Sequence, residues 1–143
     1  IISGQLRSVL GTLLRHVEPM AGAPRIIVTT PPGHLHEFGA MIGAFIAASR
    51  EIEPVYLGAN TPFSEIEDAA TQSGSKLILL SIARDCGLRE RESLLEGLET
   101  LAQNHEVWLG IPERHQLNAH NSNVRLFHEY EEIDRALASY KER

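Results

Sequence analysis

The spacing of apolar residues changes several times along this chain, and the changes mark its elements. Over residues 1–17, Ile2, Leu6, Val9, Leu10, Leu13, Leu14 and Val17 recur every three or four positions, which predicts an amphipathic helix ended by Pro19 and Gly22. Arg25-Ile26-Ile27-Val28-Thr29 is then a β-branched run bounded by prolines, the pattern of a buried strand. The Ala-rich stretch 36–50 places Phe38, Met41, Ile42, Phe45 and Ile46 on one face and predicts a helix. A second strand, Pro54-Val55-Tyr56-Leu57, leads to Thr61-Pro62, read as the cap and first position of a helix reaching about residue 73. A third strand over 76–81 is apolar on both faces. A helix over 88–104, strands at Val107-Trp108-Leu109 and Val124-Arg125-Leu126-Phe127, and a closing helix over 131–141 complete the series.

Apolar strands separated by helices imply a parallel sheet covered on both faces. Five such units fit an α/β, flavodoxin-like (Rossmann-like) doubly wound sheet of order 2-1-3-4-5, with its switch point between strands one and three. Ligands of such sheets bind outside the carboxyl ends of the strands, here the loops 30–38, 81–87 and 110–122. Residues 23–143 are thus expected to form one α/β domain. Residues 1–22 form an N-terminal helix, either a cap on that domain or the end of an upstream helical cap. A first residue of Ile rather than Met predicts that the chain is a piece of a longer protein. The sequence has no internal repeat and no low-complexity segment.

Composition narrows the function. At 143 residues and 43% hydrophobic, the chain can bury one core but not two. A formal charge of −6, with scattered basic residues, argues against direct binding of nucleic acid, because phosphates need clustered Lys and Arg. The single cysteine, Cys86, rules out an internal disulfide and suits a reducing cytoplasm. No apolar run approaches the roughly 20 residues of a membrane span, and Arg7 and Arg15 break any signal-peptide pattern. Gly-x-Ser-x-Gly, Gly-x-x-x-x-Gly-Lys and Gly-x-Gly-x-x-Gly are all missing from their expected places, so a binding domain is expected rather than an enzyme. A phosphoacceptor domain would need Asp where strand three ends in Ser81. Flavodoxin-type FMN binding would need a Ser/Thr/Gly-rich first loop.

The candidate chemistry lies in the first loop, Pro31-Pro32-Gly33-His34-Leu35-His36-Glu37-Phe38-Gly39. Neutral imidazoles at His34 and His36 are good transition-metal ligands, and a sheet-edge loop leaves them accessible. Taken alone, His36 is more readily a loop residue that decorates the helix start than a ligand. Gly39 and Gly110 are places where a ligand can approach backbone, and Ser81 offers a hydroxyl. His105, His115, His120 and His128 are read as structural, Trp108 as core, and Glu90, Glu92, Glu96 and Glu99 as a solvated helix face. Cys86 is expected to have no histidine nearby.

His36-Glu37-Phe38-Gly39, Tyr56-Leu57-Gly58, Leu79-Leu80-Ser81 and Trp108-Leu109-Gly110 together resemble a cobalamin (vitamin B12)-binding domain over roughly residues 25–140. The pattern of that family is an acidic residue, any residue, His, two residues and Gly, then a Ser after strand three and Gly-Gly after strand four. The resemblance implies that His36 replaces the cofactor's own base as the lower ligand of cobalt. It also implies that Gly39 and Gly110 make room for the displaced nucleotide tail and that Ser81 contacts it. The acidic position is His34 here, which leaves two alternatives: Glu37 as the acceptor, or His34 itself reaching the metal. Ile111 stands at the second glycine, which would put a branched side chain into the tail channel, and Ala83 stands where Leu is common. Ala40-Met41-Ile42-Gly43 and the Thr-Pro helix start are most similar to the sensory domain at the carboxyl end of MerR-type transcription regulators. The implied cofactor is adenosylcobalamin or methylcobalamin. Its implied partners are an upstream DNA-binding module and helical cap, with a homo-oligomer also compatible. A haem-binding or cofactor-free relative, and a corrinoid protein serving a methyltransferase, are the alternatives.

Overall fold

A computed structural model of the protein describes residues 22–115 and 117–140, together with Gln5, Ser8, Val9 and Thr12. Strands β1 (Arg25–Thr29), β2 (Glu53–Tyr56), β3 (Leu77–Ser81), β4 (Glu106–Gly110) and β5 (Val124–Phe127) pair in parallel as one sheet, order β2-β1-β3-β4-β5. Helices α1 (Phe38–Ser49), α2 (Phe63–Ser73) and α3 (Leu88–Ala102) fill the first three connections, and α4 (Tyr130–Ala138) follows β5. The expected doubly wound order is therefore the one observed. The reversal between β1 and β3 leaves the crevice at their carboxyl ends that this topology uses for ligands.

Strand periodicity divides the core. Side chains two residues apart share a face. Ile26, Val28, Leu77, Leu79 and Trp108 accordingly pack beneath α1 and α4. Ile27, Ile78, Leu80, Val107 and Leu109 pack beneath α2 and α3. Ala40, Ala44 and Ala47 let α1 lie close to the sheet, and a Cβ on Gly43 would stand 2.6 Å from Leu79 Cδ2. Trp108 is buried in this layer, as expected, with Phe127 5.0 Å away ring to ring. At the far end of α1, Arg50 donates to both carboxylate oxygens of Asp134, at 2.8 and 2.9 Å, and so ties α1 to α4.

Two element starts differ from the sequence reading. The first helix begins at Phe38 with Glu37 as its N-cap, so His36 lies in the loop rather than in the helix. The second begins at Phe63 with Pro62 as N-cap, and Thr61 does not cap it. The Thr61 hydroxyl meets Thr29 Oγ1 at 2.6 Å instead, because the chain there is buried against the end of β1. Gln5, Ser8, Val9 and Thr12 are helical, with Thr12 Oγ1 donating to Ser8 O, in keeping with the expected N-terminal helix. The remainder of that expectation, and residue 141 of the closing helix, lie outside the described residues. Among the described residues no helix is long and apolar enough to cross a membrane.

Candidate functional site

The register of the sheet builds the floor of the site. Ser81 pairs with Gly110, and Gly110 with Phe127, so three neighbouring strands end on one row. Since Leu79 and Trp108 face α1 and α4, Ser81 and Gly110, two positions later, face the same side. Above that row opens a cleft of about 570 Å³ between the starts of α1 and α4. Leu79, Phe127 and Ile133 give it apolar depth, and His36, Arg84, His128 and Tyr130 give its mouth polar groups.

The loop after β1 is held by a small hydrogen-bond network. Thr30 Oγ1 accepts from Asn60 N at 2.7 Å and donates to His34 O at 2.6 Å. His34 N closes a turn onto Pro31 O. Gly33, at φ +86°, takes the left-handed conformation this turn requires. Its N–H donates to Asn60 Oδ1, and its carbonyl accepts from Arg84 Nη2 at 2.7 Å. The loop is thus anchored at both ends before the chain reaches His36.

Of the expected site residues, His36, Gly39, Ser81, Ala83, Gly110 and Ile111 all line the cleft. The His36 ring is exposed and has no hydrogen-bond partner among the described residues. Gly39 lies against Ser81 so closely that a Cβ there would overlap Ser81 Oγ. The absent side chain thus serves the helix–strand contact first. Ser81 Oγ has no partner within the described chain, so it does not serve as a strand-end cap. A Cβ on Gly110 would meet only ordinary contacts, Ile133 Cδ1 at 3.7 Å and Leu80 O at 3.8 Å, so the fold itself does not demand glycine there.

Four expectations need correction. Ile111 does not plug the cleft: strand alternation turns its side chain into the opposite core layer, with Leu80, Ile82 and Leu117. Only its edge meets the cleft, where its carbonyl accepts from His128 Nδ1 at 3.0 Å. His34 is 4% exposed and does not line the cleft, because the turn at Gly33 directs it toward the loop after β3. There its Nε2 lies 3.6 Å from Cys86 Sγ, so Cys86 does have a histidine beside it. Of the histidines read as structural, His115 holds the loop after β3, whereas His128 also reaches the cleft. His115 Nε2 donates to Arg84 O at 2.9 Å, and His128 joins the cleft mouth. The Nδ1–H bond of His128 leaves its Nε2 lone pair free, a ligand-like arrangement that its position just past β5 could have suggested. Burial and then the Arg84 charge hold His34 below the usual imidazole range, whereas burial pushes the Cys86 thiol and the Tyr130 phenol up.

The residues present fit a flat metal-bearing cofactor with a long tail. His36 offers an uncommitted nitrogen at the mouth, Ser81 an uncommitted hydroxyl within, and Gly110 a bare backbone on the floor. No family model matches the sequence, and no curated protein does. Solved structures do. The monomethylamine corrinoid protein of Methanosarcina barkeri superposes with a TM-score of 0.66 at 14% identity, over 95% of this chain and 67% of that one. A cobalamin-binding protein from Desulfitobacterium hafniense DCB-2 gives a TM-score of 0.51 at 19% identity, over 81% of this chain and 50% of that one. The chain therefore spans about half the length of the Desulfitobacterium protein. At such identities the likeness concerns architecture: this chain has the five-stranded parallel α/β fold found in a cobalamin-binding protein and a corrinoid protein.

Proposed function

We propose that this domain binds a corrinoid, adenosylcobalamin or methylcobalamin, with the His36 imidazole as the lower ligand of cobalt. The observation that carries this reading is the exposed, unpartnered ring of His36 at the mouth of a cleft floored by Ser81 and Gly110. When bound, the corrinoid supplies a cobalt centre that carries or releases an alkyl group. The chain's own residues bind and orient it. His36 donates a nitrogen lone pair, Ser81 Oγ hydrogen-bonds the tail, and the bare Gly110 lets the tail lie against backbone. Leu79, Phe127 and Ile133 exclude water from the depth of the cleft. His34, turned toward Cys86, does not orient His36.

Within that reading the role is sensory. The run Ala40-Met41-Ile42-Gly43 and the Thr61-Pro62 helix start resemble the MerR-type regulators, in which such a domain reports cofactor state to an upstream cap and DNA-binding module. The second reading, a methyl-carrying corrinoid protein, draws support from the fold match to the Methanosarcina protein over 95% of this chain.

The test is to mix the protein with aquocobalamin, pass it over a sizing column and record the visible spectrum. A co-eluting corrinoid with a histidine-ligated spectrum, which reverts to a base-off spectrum in His36→Ala, is the expected result. A corrinoid that separates from the protein sinks the proposal, and a Soret band with haem instead would redirect it to a haem protein. Illuminating the adenosylcobalamin complex separates the two roles. A change in association state on light cleavage supports the sensor, and methyl transfer from methylcobalamin to a partner enzyme supports the carrier.

A further inference from the structure

We infer that His34, Cys86 and Glu90 form a second metal site, outside the cleft, for a borderline-soft divalent cation of the zinc type. One donor atom from each lies within 4.8 Å of the others. They come from two segments that the sheet brings together, the loop after β1 and the entry to α3. None of the three lines the cleft that holds His36.

A cluster of donors alone would be weak evidence; the state of His34 is the independent observation. Its ring is 4% exposed, its Nδ1 is buried with no partner, and its Nε2 meets only a thiol. A thiol is a poor hydrogen-bonding partner, so the buried imidazole is close to unsatisfied. A cation on Nε2, the nitrogen facing Cys86, would replace that weak thiol contact with a coordinate bond, leaving Nδ1 on the far side of the ring as it is. The spacing suits it. Zn–N and Zn–S bonds of about 2.0–2.1 and 2.3 Å, set at a tetrahedral angle, place the two donors about 3.6 Å apart. The observed Nε2–Sγ separation is 3.6 Å.

Glu90 completes a nitrogen, sulfur and oxygen set and leaves a fourth position open. Its Oε2 already pairs with Arg84 Nη2 at 2.9 Å, and that guanidinium is held in place by Gly33 O at 2.7 Å and Asp85 O at 3.0 Å. The other carboxylate oxygen is the ligand, and Arg84 stays as the outer partner that ligating carboxylates commonly have. On binding, the Cys86 thiol gives its proton to solvent and the metal–sulfur bond forms; no electrons are transferred. The ion would pin the His36 loop to the start of α3.

The experiment titrates the full chain with Zn²⁺ against a chromophoric chelator and uses Co²⁺ as the spectroscopic probe. One Zn²⁺ per chain is expected, with a thiolate-to-cobalt charge-transfer band that Zn²⁺ displaces. Cys86→Ala should abolish the band and weaken zinc binding by more than about a hundredfold, beyond the roughly 10–100-fold that outer-partner changes cost. Glu90→Gln, on a solvent-facing helix turn, should weaken it without unfolding the chain. His36→Ala should leave zinc binding intact and Cys86→Ala should leave corrinoid binding intact, so this site and the cobalamin reading fail separately. Absence of stoichiometric zinc, or Cys86→Ala holding zinc as tightly as the parent, overturns the inference.

Discussion

Gly39 and Ser81 show how one missing side chain can serve two purposes. A Cβ at position 39 would overlap Ser81 Oγ but sit 3.5 Å from Ser81 Cβ, an ordinary contact. Overpacking of this kind costs about 1–3 kcal/mol. Gly39→Ala should therefore destabilise the chain by that amount in urea unfolding, and Gly39→Ala with Ser81→Ala should recover most of it, since Oγ is the clashing atom. Additive losses in the double variant would mean the two positions do not couple. At this scale the sequence was only partly legible. His36, Gly39, Ser81 and Gly110 were recognisable from their places after strands. The side on which Ile111 packs, and the Cys86 thiol beside His34, were not. Those depend on the pleat at the end of β4 and on a turn at Gly33, neither of which leaves a local pattern in residue type.

Helices pack here through small residues, which makes the sign of a substitution informative. Replacing Gly97 by Ala in the middle of α3 would ordinarily gain about 1 kcal/mol of helix propensity. A Cβ there, however, would run into the Phe63 ring at the start of α2. We expect Gly97→Ala to lower the thermal midpoint and Gly97→Ala with Phe63→Ala to lose the specific clash; a rise in midpoint for the single variant would show that the ring swings aside freely. The Arg50–Asp134 pair between α1 and α4 acts through charge. The hydrogen bonds from Arg50 hold the Asp134 carboxyl below its ordinary value of 3.8. A depressed carboxyl pKa contributes stability above the unfolded value and loses it as pH falls through the folded one. Arg50→Ala should thus cost stability at pH 7 and cost nothing at a pH below both values, measured by denaturation at each pH. The effect should be small and salt-sensitive, because both partners are exposed. Element order was legible throughout, whereas the starts of α1 and α2 shifted by one or two residues, that of α2 because Thr61 found a partner in β1 rather than a capping role.

Corrinoid binding, as proposed, would couple to folding of the whole molecule. A ligand present at 100 times its dissociation constant adds about 2.7 kcal/mol to the folded state. Cobalamin should therefore raise the thermal midpoint by several degrees in a concentration-dependent way, and His36→Ala should blunt the rise. An unchanged midpoint at saturating corrinoid would count against the cleft as its seat. The charge of −6 over the whole chain leaves attraction for an anionic tail to local groups, so the gain should rest on the cleft residues rather than on net charge.

From residue order alone came the order of the strands and of the helices between them, the parallel sheet, and the loops at its carboxyl edge, because hydrophobic periodicity is a local property. Only tertiary structure decided that His34 leaves the cleft for Cys86, 52 residues away, that Ile111 turns into the far core layer, and that His128 joins His36. Those meetings follow from strand order and register, which bring together the ends of segments that are distant along the chain.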